Sequence, residues 1–135
     1  MAATLVDSNV LIDVLSGDPL WGGWSAQALR HAGADGPLVI NEVIYAEVST
    51  RYSRVEVLDR ELSVDDLQRE HTPWLAAFLA GKVFVEYKRR GGERRSPLPD
   101  FFIGAHAAVA DLRLLTRDPR RYRSYFPRLD LIAPE

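Results

Sequence analysis

The strongest constraint on this chain is a rhythm: short apolar runs alternate with helical patterns, and no hairpin signal separates them. Thr4-Leu5-Val6 runs into Asp7-Ser8-Asn9 and then Val10-Leu11-Ile12-Asp13-Val14-Leu15 at helical spacing. Ser8 or Asn9 is the expected cap of that helix, and Ser16-Gly17-Asp18-Pro19 its stop. Leu38-Val39-Ile40 repeats the unit, with Asn41 as cap and a helix from Glu42 to about Tyr52. Leu112 to Thr116 and Leu129-Asp130-Leu131-Ile132 are two further strand candidates, separated by a short helix after Arg117-Asp118-Pro119. Trp21 to His31 and Phe101 to about Ala110 read as helices, and Ser63 with Asp66 resembles the capping box of a short one. Thr72-Pro73 reads as N-cap and first residue of a long amphipathic helix that ends at Gly91-Gly92. Strands parted by helices imply an α/β fold, a mostly parallel sheet covered on both faces. With 135 residues, one domain spanning 1–135 is expected.

An apolar share of 47% with 27% charged residues places the chain among ordinary globular proteins rather than disordered ones. The absence of cysteine removes disulfides and thiolate metal sites. Met1-Ala2-Ala3-Thr4, with an acid as early as Asp7, is not the pattern of a secretory leader. No apolar run reaches the ~18 residues of a membrane span, so a soluble cytoplasmic protein is the expectation. The net charge of −2 hides an asymmetry: residues 1–81 hold five Lys/Arg against twelve Asp/Glu, and residues 82–128 hold twelve against five. Most of that positive charge is Arg, whose planar fork suits phosphate, although solvated helix faces would look the same.

Four acids occupy positions that such a fold brings to one rim. Ligands of parallel α/β sheets bind beyond the carboxyl ends of the strands. Asp7 and Asp118 lie at or just past two such ends. Asp100 stands at a helix start, where free amides and the dipole favour negative charge. Glu47 is about one and a half turns into the helix after the second strand, within reach of the same edge. Each alone has a plainer role: a cap for Asp7 or Asp100, a solvated helix position for Glu47, a turn initiator for Asp118-Pro119. Gathered together without a counter-charge, they repel at a cost of several kcal/mol. A divalent cation such as Mg2+ relieves that repulsion, takes hard oxygen ligands and leaves room for a phosphate, which points to metal-assisted phosphodiester chemistry.

These segments resemble the PIN-domain ribonucleases, and among them the VapC-type toxins of bacterial toxin–antitoxin pairs. The resemblance runs nearly the full length, through Val6-Asp7-Ser8-Asn9-Val10-Leu11-Ile12-Asp13 and Ile40-Asn41-Glu42-Val43-Ile44-Tyr45-Ala46-Glu47. It continues through Leu98-Pro99-Asp100-Phe101-Phe102-Ile103-Gly104-Ala105-His106-Ala107 and Leu114-Leu115-Thr116-Arg117-Asp118-Pro119. It implies a Rossmann-like α/β/α sandwich whose acidic pocket holds Mg2+ or Mn2+ and cuts RNA. It makes Asp7 and Asp100 the principal metal ligands, with Glu47 and Asp118 completing the catalytic cluster. Asn9 and Thr116 match positions that orient ligands or substrate. Arg94, Arg95 and Arg117 are the expected RNA contacts. The implied partners are an RNA substrate, a VapB-type antitoxin whose C-terminal segment covers the acidic pocket or an adjacent groove, and a second copy in a homodimer. Glu42 departs from the family pattern, where a proline is common, and residues 53–95 match least.

Rival readings fare worse. Cleavage by the RNA 2′-hydroxyl usually needs a histidine pair, whereas His31 and His71 sit at element ends and His106 lies in an Ala-rich helix that suggests core. A phosphoacceptor receiver domain needs a late lysine, and Lys82 and Lys88 both fall on the long helix. An Asp-x-Asp phosphatase is disfavoured by Asn9 two residues after Asp7. The serious alternative is a PIN-like module that binds RNA or protein without cutting, against which stand intact acids at all four positions.

Overall fold

A computed structural model describes residues 2–63, 66–93 and 97–135. Five strands form one parallel sheet in the order β3-β2-β1-β4-β5. They are β1 (Thr4–Val6), β2 (Leu38–Ile40), β3 (Gln68–Arg69), β4 (Arg113–Leu115) and β5 (Leu131–Ile132). The helices are α1 (Ser8–Ser16), α2 (Gly22–Asp35), α3 (Glu42–Ser49), α4 (Val55–Leu62), α5 (Trp74–Arg89), α6 (Leu98–Val109) and α7 (Arg120–Tyr125). The three inner strands are short and apolar because both sheet faces are covered: Leu5, Val6, Val39, Ile40, Leu114 and Leu115 are all but inaccessible to solvent. Register is tight, with Leu5 opposite Val39 on one side and Leu114 on the other.

The winding reverses at β1. From β1 the chain steps outward to β2 and β3; from β3 it crosses back to β4 and steps outward again to β5. Right-handed crossovers therefore place α1 and α2 over one face and α5–α7 over the other, while α3 meets both α1 and α6. The contacts agree, since α2 packs on β1 and β4 while α6 packs on β4 with α5 outside it. Such a reversal opens a crevice between the carboxyl ends of β1 and β4.

Several boundaries differ from the sequence expectation, each for a local reason. Asp7, not Ser8 or Asn9, caps α1: its backbone is extended and its side chain accepts the Ser8 N–H. Gly17 ends that helix at φ 63°, a left-handed conformation that glycine adopts without a Cβ penalty. Ser63 closes α4 rather than opening a helix, and its hydroxyl donates back to the Arg60 carbonyl. Thr72 does not cap α5, whose N-cap is Pro73; its backbone N–H donates instead to Glu42 Oε1. The α6 helix begins at Leu98, so Asp100 lies inside its first turn. The β3 strand was not expected: Gln68-Arg69 is polar and exposed, and pairs only with β2 at the edge. All described strand pairs are parallel, beyond the mostly parallel sheet anticipated.

An aromatic cluster ties α5, α6 and α7 together. Phe101 is fully buried and meets the edges of Tyr87 and Tyr125 at centroid distances of 5.6 and 5.3 Å. Phe126 leans on Gly104, where a Cβ would come within 2.5 Å of its ring, so only glycine allows α7 to lie this close to α6. The position of α7 matters, because it forms one wall of the crevice.

Candidate active site

Asp7 leaves β1 at its carboxyl end and enters the crevice with 4% of its surface exposed. Its Oδ2 accepts the Thr116 hydroxyl at 2.8 Å and the Tyr122 hydroxyl at 3.0 Å, and its Oδ1 accepts the Ser8 N–H at 2.7 Å. Burial pushes its carboxyl up to about 6, against the hydrogen bonds from Thr116 and Tyr122, and the charges of Asp100 and Glu47 push the same way. Glu47, half-buried on α3, accepts the Ser8 hydroxyl at 2.9 Å. Its pKa is also raised, by burial first and then by Asp100. Three acids, Asp7, Glu47 and Asp100, thus share one electrostatic neighbourhood.

Asp100 projects from the first turn of α6 and pairs with Arg121 Nη1 on α7 at 2.7 Å. Asp118 is exposed and borders the same cavity of about 720 Å³ as Asp7, Asn9, Asp100, Arg121 and Tyr122. Among the described residues no histidine lines that cavity. Three of the four expected acids, Asp7, Asp100 and Asp118, line this cavity, with Asp118 exposed at its rim, while Glu47 is tied to its wall only through Ser8.

Thr116 and Asn9 hold the turn between β4 and α7 against β1. The buried Thr116 hydroxyl bonds Asp7 and accepts the Asp118 N–H at 3.2 Å. Asn9 Nδ2 donates to Thr116 Oγ1 at 3.3 Å, and Asn9 Oδ1 accepts the Arg117 N–H at 3.1 Å. Arg117 is engaged elsewhere: its guanidinium forks onto Asp13 at 2.7 and 3.1 Å and lies over the Trp21 ring. That placement makes it a clasp between α1 and the turn after β4, and it is not among the residues that line the cavity. Arg94 and Arg95 lie outside the described residues.

Tyr122 is the site residue that sequence reading missed. It is 2% exposed, and its phenol is held well above the ordinary tyrosine range, by burial first and then by Asp7 and Asp100. Its faint signal is spacing: Tyr122, Tyr125 and Phe126 stand three and four apart in an arginine-rich segment, marking an inward stripe. His106 is core, as expected. It is fully buried, and Asn41 Oδ1 already accepts the Ile44 N–H, so Asn41 Nδ2 donates to His106 Nδ1 at 3.0 Å. Glu42 turns to Thr72 and His71 and lies outside the acidic cluster.

A hard divalent cation fits this donor set. The acids offer only oxygen, and the Asp7 carboxyl, raised first by burial, is pushed further the same way by the charges of Asp100 and Glu47. Among the described residues no three acid or histidine side chains stand close enough to hold an ion by themselves. An ion that keeps several of its waters, as Mg2+ does, suits such a site.

A parallel sheet whose strand order reverses at β1 places this chain among the open α/β folds. The chain belongs to the PIN domain family, whose model matches residues 4–127. It is similar in structure to VapBC2 from Rickettsia felis bound to a promoter DNA fragment, with a TM-score of 0.75, 16% identity, and 98% of this chain and 99% of that one covered. It is similar to a toxin–antitoxin complex from Klebsiella pneumoniae, with a TM-score of 0.69, 26% identity and 98% of both chains covered. VapBC-1 from nontypeable Haemophilus influenzae gives a TM-score of 0.71 at 17% identity over 97% of both chains. Comparison with curated proteins finds no match.

Proposed function

We propose that this protein is a metal-dependent endoribonuclease and the toxin of a VapBC-type pair. The observation that carries the reading is Asp7, buried, pushed up to about 6 and crowded by Asp100 and Glu47 at the sheet's reversal. Such a carboxyl is poorly suited to being structural alone, since an apolar or amide side chain would cost less there. Asp7 and Asp100 would hold Mg2+ or Mn2+. When bound, the cation supplies an acidified water and positive charge for the phosphate.

The chain's own residues do the rest. Thr116 and Tyr122 fix the Asp7 carboxylate by two hydroxyl donors, so its orientation is set before substrate arrives. Ser8 holds Glu47 through one oxygen, leaving the other to accept a proton from the attacking water. Attack in line leaves a 5′-phosphate and a 3′-hydroxyl. The test is cleavage of RNA with Mg2+, with excess chelator, and by Asp7→Asn, which removes a charge at nearly constant volume. Cleavage should vanish in the second and third conditions. RNA binding with no cleavage under any of them would instead establish the non-catalytic PIN-like module.

For partners, the VapBC and toxin–antitoxin likenesses support a VapB-type antitoxin. A homodimer is supported by α5, which leaves Trp74, Leu75, Phe78 and Val85 between 49% and 91% exposed. Among the described residues no helix is long and apolar enough to cross a membrane.

A further inference from the structure

The arginines near the crevice are not equivalent. Arg117 is bound to Asp13, while Arg90 pairs with Glu86 and lies over the Tyr125 ring. Arg120 and Arg121 both line the cavity, and of the two Arg121 bonds an acid of the cluster, Asp100, through Oδ2 at 2.7 Å. The side chains are 42% and 33% exposed. A pair this open to water is a weak contact and readily exchanged.

We propose that Arg121 works in two positions: as the counter-ion of Asp100 while no cation is bound, and as the residue that grips the nucleic-acid phosphate once a cation has taken that carboxylate. Arg121 holds Asp100 through Oδ2 alone, and a dication on the same carboxylate repels the guanidinium and weakens that hold. The cation displaces Arg121, whose base on α7 keeps it at the cavity wall. There its fork matches the two oxygens of a phosphodiester, an anion that Asp100 no longer shields from it. The exchange couples metal to substrate: until the ion arrives, the phosphate-binding group is occupied in-house. This inference rests on the nuclease reading above.

The test uses full-length wild-type protein, Arg121→Gln and Arg121→Lys. Mg2+ alone is titrated into each by calorimetry at fixed ionic strength, and cleavage of an RNA oligonucleotide is followed at saturating Mg2+. Removing the competing cation should make Arg121→Gln bind Mg2+ several-fold more tightly than wild type. Its KM for RNA should rise roughly tenfold, the size of one charge-assisted phosphate contact. Arg121→Lys, which keeps the charge and loses the fork, should resemble wild type in Mg2+ affinity while recovering only part of the KM. Equal or weaker Mg2+ binding by Arg121→Gln, or an unchanged KM, overturns the exchange and leaves the nuclease standing. Wild-type protein that neither binds Mg2+ nor cuts RNA overturns both.

Discussion

Asp7 is at once a helix cap, an acceptor for two hydroxyls and a member of a crowded acid cluster. Its raised carboxyl makes metal-free stability depend on pH in a defined sense. Below about pH 3.8 the group is neutral in folded and unfolded chains alike and adds nothing to their difference. As pH rises toward about 6 the unfolded chain ionises first, so stability falls, by roughly 3 kcal/mol in all, and then levels off. Asp7→Asn keeps the cap and removes this titration. In chelator the variant should therefore be more stable than wild type at pH 7.5, with the gap closing near pH 4. Denaturant unfolding across that range checks it, and parallel profiles for the two proteins would refute it. The acids were legible in the sequence because their offsets from strand ends are fixed by the fold. Tyr122 was not, because its role depends on where α7 lands, which the packing of Phe126 on Gly104 decides.

Among the elements, the tie between α1, α2 and the turn after β4 is the most exacting. Asp13 is 2% exposed and accepts Arg117 through both oxygens and Ser25 through one. Arg117 sits between Thr116 and Asp118, so the clasp holds the turn that presents both to the crevice. Arg117→Met should cost about 3 kcal/mol, the low end for stranding a buried charge, since the Arg117 side chain is 31% exposed. Adding Asp13→Asn should return much of that loss. A double-mutant cycle by thermal unfolding measures the coupling, and strictly additive effects would deny the clasp. Nothing in the sequence announced this pair, which joins residues 104 positions apart. The inner strands were plain, because an apolar run buried on both faces has few other fates. The β3 strand was hidden because its partner's backbone, not its own side chains, makes it a strand.

Across the whole molecule, apolar surface is distributed unevenly. Trp74 at 91% and Phe78 at 63% exposure contribute little to the core. Trp24, by contrast, packs against it. Trp74→Ser with Phe78→Ser should therefore leave the unfolding temperature of a monomer nearly unchanged while abolishing self-association. Sedimentation of the two proteins over a concentration series decides this, and a variant that still dimerises would place the interface elsewhere.

The hydrogen bonds that close the crevice join Asp7 to Thr116 and Tyr122 across 109 and 115 positions of sequence. A chain still being synthesised has no such closure until Thr116 and Tyr122 have left the ribosome. On the proposed nuclease reading, the nascent polypeptide is thereby unarmed beside the very template and translation machinery that are making it.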